Sequence, residues 1–64
     1  MGGFDRMLIK MALKNLEAVR KMKREILQLD PKLENRFWRE YYMELCEKER
    51  MDVEFLRRRG IELS

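Results

Sequence analysis

The sequence contains no histidine, one cysteine, one proline and one serine, and these shortages exclude several classes of protein. Cys46 has no second cysteine to pair with, so no disulfide can form within one chain. Without histidine there is no zinc site of the usual kind and no Ser/His or Cys/His pair for nucleophilic catalysis. The sequence therefore predicts a protein that is not an enzyme and uses no metal or other cofactor.

Long apolar runs are also missing. No stretch approaches the roughly 18 consecutive apolar residues that indicate a membrane span. The N-terminal region lacks the basic segment, apolar run and small-residue cleavage site of a signal peptide. With one free thiol and no export signal, we expect a cytoplasmic protein.

The chain is short, at 64 residues, and we interpret residues 1–64 as a single helical domain. A domain of this size buries only about 60% of its unfolded surface, and one core rarely supplies more than roughly 3–5 kcal/mol. Such a chain has little room for a closed pocket, so no small-molecule substrate is expected. Because neither a disulfide nor a metal is available, stability is expected to come from a second copy or a protein partner.

The segment Leu29-Asp30-Pro31-Lys32-Leu33 divides the chain almost in half. The residue before a proline is disfavoured in the α region, so a first helix should end by Leu29. Asp30 suits the N-cap of a second helix, and Pro31 suits its first position. The sequence thus predicts helix 4–29, a turn at 30–31 and helix 32–50.

Apolar residues recur at helical spacing along the first half of the chain. They form one broad stripe: Leu8, Met11, Ala12, Leu16, Val19, Met22, Ile26 and Leu29. Asn15 falls near the middle of this stripe, where a single asparagine can fix the register of an oligomer. We favour the other interpretation, in which Leu16 points inward while Asn15 lies at the edge.

The second half of the chain carries an apolar arc that is too wide for one helix contact. We therefore expect helix two to touch helix one and also a second surface, supplied by another subunit or protein. Tryptophan and tyrosine are frequent at interface hot spots. Trp38 is expected to be buried in a dimer core, and Tyr42 to face a partner. The candidate protein-interface residues are Phe37, Trp38, Tyr41, Tyr42 and Leu45.

The end of the chain allows two interpretations. Glu49 and Asp52 would fall on the apolar face of an uninterrupted second helix. We therefore expect Asp52 to cap a short third helix at 53–59, ended by Gly60. Continuation of helix two through Asp52 is the alternative.

Basic residues line one side of the first helix, opposite the apolar stripe. A row of this kind could follow the backbone of a nucleic acid, and the alternative is an ordinary solvated face. The candidate nucleic-acid-binding residues are Lys10, Lys14, Lys21 and Arg24.

The Leu29-Asp30 corner and part of the apolar stripe resemble the Rop-type RNA-binding hairpins, which regulate plasmid copy number. The residues that carry the resemblance are Leu8, Ala12, Val19, Met22, Ile26 and Leu29. Those proteins are antiparallel four-helix dimers that hold paired RNA loops. The resemblance covers the first helix and the corner, and helix two departs from it at Lys48 and Asp52. It implies the dimeric bundle rather than the RNA binding.

These patterns together predict an all-α protein: an antiparallel helical hairpin, with a short third helix, that associates into a four-helix-bundle homodimer. The expected function is that of a small regulatory or adaptor protein, such as an inhibitor, acting by protein–protein interaction. The alternative function is a helical dimer that binds RNA or DNA through the basic face of its first helix.

Overall fold

The computed structural model describes residues 3–61, which form two helices and contain no strand. Helix α1 spans Gly3–Leu29 and helix α2 spans Arg36–Arg58. The two helices pack side by side as a hairpin with extents of 45 × 20 × 15 Å. The prediction of an all-α helical hairpin is confirmed for this part of the chain.

Helix α1 follows from a run of good helix formers without internal glycine or proline. Its four buried side chains, Ala12, Leu16, Val19 and Ile26, recur every three, four or seven residues and face α2. Leu16 is buried and Asn15 is exposed, so the favoured interpretation, in which Leu16 points inward, is confirmed. The helix ends at Leu29, as the proline predicts.

The corner between the helices occupies residues 30–35, so α2 begins four residues later than the predicted start at 32. The Leu33 amide donates to the Asp30 carbonyl at 3.0 Å, and Leu33 adopts a left-handed φ of 52°. The Asp30 carboxylate accepts the amides of Asn35 at 2.8 Å and Glu34 at 3.1 Å. Asp30 therefore does bind free backbone amides, but those of the connection rather than those of a helix.

Asn35 is the N-cap of α2. Its backbone is extended, with φ −74° and ψ 125°, and its side-chain oxygen accepts the amides of Phe37 at 2.9 Å and Trp38 at 3.3 Å. Asparagine is among the best N-cap residues because this bond satisfies amides that the first turn leaves unpaired. The helix therefore starts at Arg36.

Helix α2 continues through Asp52 to Arg58, so the predicted break and the separate short helix at 53–59 are wrong. The break was expected because Glu49 and Asp52 would lie on the apolar face. In the structure the Glu49 carboxylate is paired by two basic side chains of α1, and Asp52 lies half-buried beside a groove between the helices. Neither acidic residue therefore interrupts the helix.

The C-terminus of α2 is a Schellman motif. Gly60 adopts a φ of 79°, and its amide donates to the Arg57 carbonyl at 3.0 Å. The Ile61 amide donates to the Leu56 carbonyl, also at 3.0 Å, and Ile61 packs against the buried Leu56 cluster. Both bonds satisfy carbonyls that a helix end leaves free. The prediction that Gly60 ends the last helix is confirmed.

The core consists of two small clusters along the helix contact. The terminal cluster lies far from the corner and is built on Ala12, Leu16 and Leu56. The corner cluster is built on Val19, Ile26 and Leu45, with Leu33, Trp38, Tyr41 and Tyr42 packed around it.

The hairpin exposes more surface than a compact protein of its mass. Its accessible surface is 5470 Å². The scaling law for compact monomers gives about 4,450 Å² for a chain of 8.0 kDa. The excess of about 1,000 Å² exceeds the roughly 800 Å² that each partner buries in a standard protein–protein interface. Two helices alone therefore leave a large area without a cover.

Candidate interaction surface

The hairpin has two broad faces, and a shallow groove runs between the helices on one of them. Residues of α1 and α2 line this groove and continue along both helices at spacings of three and four residues, which keeps them on one side. We call this side the open face. Its members are Phe4, Leu8, Met11, Asn15, Ala18, Met22, Glu25 and Leu29 of α1 and Phe37, Tyr41, Glu44, Lys48, Met51 and Phe55 of α2.

Large apolar side chains of the open face reach into solvent. Phe4, Met11, Leu29, Phe37 and Met51 each expose more than half of their surface. Within residues 3–61, a single hydrogen bond crosses this face, between the half-buried Tyr41 and the exposed Met22. The Tyr41 hydroxyl donates to the sulfur of Met22 at 3.6 Å. A thioether is a weak acceptor, so this bond contributes little to the stability of the contact between the helices.

The opposite side, which we call the closed face, is covered by an ion-pair network. The Glu49 carboxylate accepts the Arg20 Nε at 2.8 Å through one oxygen and the Lys23 Nζ at 2.7 Å through the other. The Lys23 Nζ also lies 5.2 Å from the ring centroid of Tyr42. Arg20, Lys23, Tyr42 and Glu49 thus form a polar cover over the corner cluster.

The two central charges of this network shift each other's titration. The hydrogen bond from Lys23, followed by that from Arg20, lowers the pKa of Glu49 below its usual value of 4.5. The hydrogen bond to Glu49 raises the pKa of Lys23 above 10.5, and partial burial opposes this shift. Both groups are therefore held in their charged forms across the neutral range.

The predicted protein-interface residues divide between the two faces. Phe37 is exposed and Tyr41 half-buried on the open face, whereas Tyr42 is half-buried on the closed face. Trp38 is half-buried and Leu45 fully buried in the corner cluster between them. The rings of Phe37 and Trp38 meet edge to face at 5.1 Å, so the exposed ring is anchored on the core. The structure thus separates a set that the sequence grouped together.

The candidate nucleic-acid-binding residues are all exposed and lie along one side of α1: Lys10, Lys14, Lys21 and Arg24. Arg24 also borders a depression on the closed face with Arg20. Binding of nucleic acid by these residues stays a prediction.

The open face includes functional candidates that the sequence interpretation did not select. The sequence interpretation places Met11 and Met22 in the inward stripe. It gives no role to Phe4 or Met51. Their pattern was available: Phe4, Leu8, Met11, Asn15, Ala18 and Met22 are spaced alternately by four and three residues. This row and the buried row point in neighbouring directions around the helix axis, so the sequence shows them as one broad stripe.

Within residues 3–61 the structure shows no group of three or more acidic or cysteine side chains that could hold a metal ion. Neither of the two helices described is long and apolar enough to cross a membrane. Comparison with protein-family models, with curated proteins and with solved structures found no match.

Proposed function

We propose that the protein is a small non-enzymatic regulatory or adaptor protein that acts by protein–protein interaction through a dimeric helical hairpin. The open face is the observation that carries this proposal. Its large exposed apolar side chains lie on both sides of a polar centre formed by Asn15, Glu44 and Lys48, and exposed apolar patches of this kind are typical of interaction sites. Aromatic residues and methionine are also the side chains enriched at the centres of interfaces.

The dimensions of the open face suit a second copy of the chain. The hairpin is 45 Å long and 20 Å wide. Two such faces laid against each other would bury on the order of 1,600 Å² in total, the size of a standard stable interface. The second hairpin would supply the layer of helices that a two-helix core lacks. The closed face and the outer sides of both helices would stay accessible to the regulated protein.

A pair of substitutions on the open face tests this proposal. We expect the wild-type protein to sediment with at least twice its mass of 8.0 kDa at a concentration of tens of micromolar. Met11→Glu combined with Met51→Glu places four carboxylates in the interface of a dimer. Burying unpaired charge is strongly unfavourable, so the dissociation constant should rise at least about 100-fold while helicity is kept.

Met43→Glu is the matched control, because Met43 is as exposed as Met51 on the same helix but lies outside the open face. This variant should remain dimeric. A wild-type protein that stays a folded monomer at that concentration would refute the proposal. Dissociation of the Met43 control to the same extent would show that the second copy packs on another surface.

A further inference from the structure

We infer that the second copy packs antiparallel on the open face, with α1 against α1 and α2 against α2, and with Glu44 opposite the partner's Lys48. This inference rests on the proposed function and specifies its geometry. It follows from a symmetry in the order of side chains along each helix. A two-fold interface is built from one surface that matches itself, so such a symmetry is what the interface requires.

The open-face residues of α2 read alike from either end. They are spaced by four, three, four, three and four residues, in the order Phe37, Tyr41, Glu44, Lys48, Met51 and Phe55. When two copies of this row lie antiparallel about its midpoint, phenylalanine meets phenylalanine and Tyr41 meets Met51. At the centre, each Glu44 meets a Lys48.

The open-face row of α1 has the same property. Its midpoint falls between Ala18 and Met22, and the row Met11, Asn15, Ala18, Met22, Glu25 and Leu29 is again spaced by four, three, four, three and four residues. An antiparallel copy would place the exposed Met11 against the exposed Leu29, and Ala18 against Met22. Asn15 would lie opposite Glu25, so the two polar side chains of this row would meet each other.

The two midpoints lie at about the same level of the hairpin. Ala18 and Met22, which flank the midpoint of α1, line the groove opposite Leu45 and Lys48, which lie beside the midpoint of α2. The bonds between the helices agree with this level, since Tyr41 binds Met22 and Glu49 binds Arg20 and Lys23. A single two-fold axis that crosses the groove perpendicular to the helices therefore serves both rows at once.

Charge selects this register over its neighbours. A shift that centres the α2 row on Lys48 brings two lysines together, and a shift that centres it on Glu44 brings two glutamates together. Like charges placed opposite each other disfavour the wrong arrangement. Among residues 3–61, neither Glu44 nor Lys48 forms an ion pair within the chain, whereas Glu47 and Glu49 do. Both charges are thus available to a partner.

Two single charge reversals, mixed together, test the inference. Lys48→Glu leaves two glutamates at the centre of the row, and Glu44→Lys leaves two lysines. Each variant alone should dimerise about tenfold more weakly, because its two central pairs are repulsive. In a mixture, all central pairs between unlike variants are attractive. Heterodimers should therefore greatly exceed the half expected by chance, as measured by energy transfer between N-terminally labelled chains.

Heterodimer preference separates this geometry from effects within one helix, since both chains keep their own substitution. The control pair is Arg50→Glu with Glu54→Arg, an i,i+4 pair that lies off the open face and should show no preference. Random pairing of the Glu44 and Lys48 variants would overturn the register while the wild-type dimer stands. A wild-type chain that does not self-associate would instead refute the proposed function.

Discussion

The closed and open faces of this hairpin are built from the same two helices and flank the same core, yet they differ in how they are covered. On the closed face, Arg20 and Lys23 of α1 form ion pairs with Glu49 of α2 and so connect the two helices. On the open face, Asn15 and Met22 face Lys48 across the groove, and no ion pair spans it in the part of the chain described. The charged bridge between the helices on one side thus has no counterpart on the other side of the residues described, which is the side that the proposed second copy would cover.

The difference also separates two kinds of energy. A partly exposed ion pair stabilises the hairpin by at most about 1 kcal/mol. Exposed apolar side chains stabilise nothing until they are removed from water, when each contributes roughly 1.5–3 kcal/mol. The closed face therefore contributes to the stability of one chain, whereas under the proposed function the open face would contribute to association.

The largest effect is expected at Leu45, which lies in the core between the two faces. Leu45 is buried in the corner cluster and also lines the groove. Leu45→Ala should lower the free energy of unfolding by about 3 kcal/mol, within the usual range for a buried leucine. Urea unfolding followed by circular dichroism measures this loss. The exposed Met43, changed to Ala, should stay within about 0.5 kcal/mol of wild type, and an equal loss at both positions would contradict the assigned core.

A pair of glutamates sharpens the comparison. Glu49→Gln removes the charge that binds Arg20 and Lys23 and should cost about 1 kcal/mol of unfolding free energy. Glu44→Gln on the open face should change the stability of the single chain by less than about 0.5 kcal/mol. Both are measured in the background that carries Glu at positions 11 and 51, so that dimer formation does not contribute. Equal losses at the two positions would remove the distinction between the faces.

The smallest effect is a pH dependence that belongs to the closed face. The pKa of Glu49 is lowered on folding, so its stabilisation is present above 4.5 and is lost as the pH falls through the folded pKa. The pKa of Lys23 is raised on folding, so the stabilisation from its charge is present below pH 10.5 and is lost as the pH rises through the folded pKa. The stability difference between wild type and Glu49→Gln should therefore shrink from pH 7 to pH 3. A constant difference across this range would rule out the ion pair as its source.

Helix α1 was predicted within one residue because nothing in its sequence competes with its apolar periodicity. The start of α2 was not, because Asp30 and Asn35 are both good capping residues. The choice between them depends on the left-handed Leu33, whose side chain packs on the corner cluster. Leucine rarely adopts this conformation, and only the packing of the folded chain makes it favourable.

The predicted break at Asp52 failed for a similar reason. The sequence shows only the neighbours of Glu49 along α2, whereas its partners Arg20 and Lys23 lie 29 and 26 residues earlier in the chain. The aromatic surface around Phe37 was predicted because aromatic residues stand out in composition. The methionines beside it did not, since methionine serves equally well in a core and at an interface. Only the direction of each side chain, which depends on where the other helix lies, distinguishes these two roles.

The corner has a consequence for the order in which the hairpin forms. The Asp30 carboxylate binds amides only four and five residues ahead, so this bend can form before either helix docks. Contacts of the corner cluster such as Ile26 with Leu45 then enclose about 19 residues, against about 44 for Ala12 with Leu56, a difference of about 0.7 kcal/mol in loop-closure entropy. We expect the contacts between the helices to form first at the corner and then towards the ends of the chain. Folding should be rapid, and the terminal cluster should not yet be packed in the transition state.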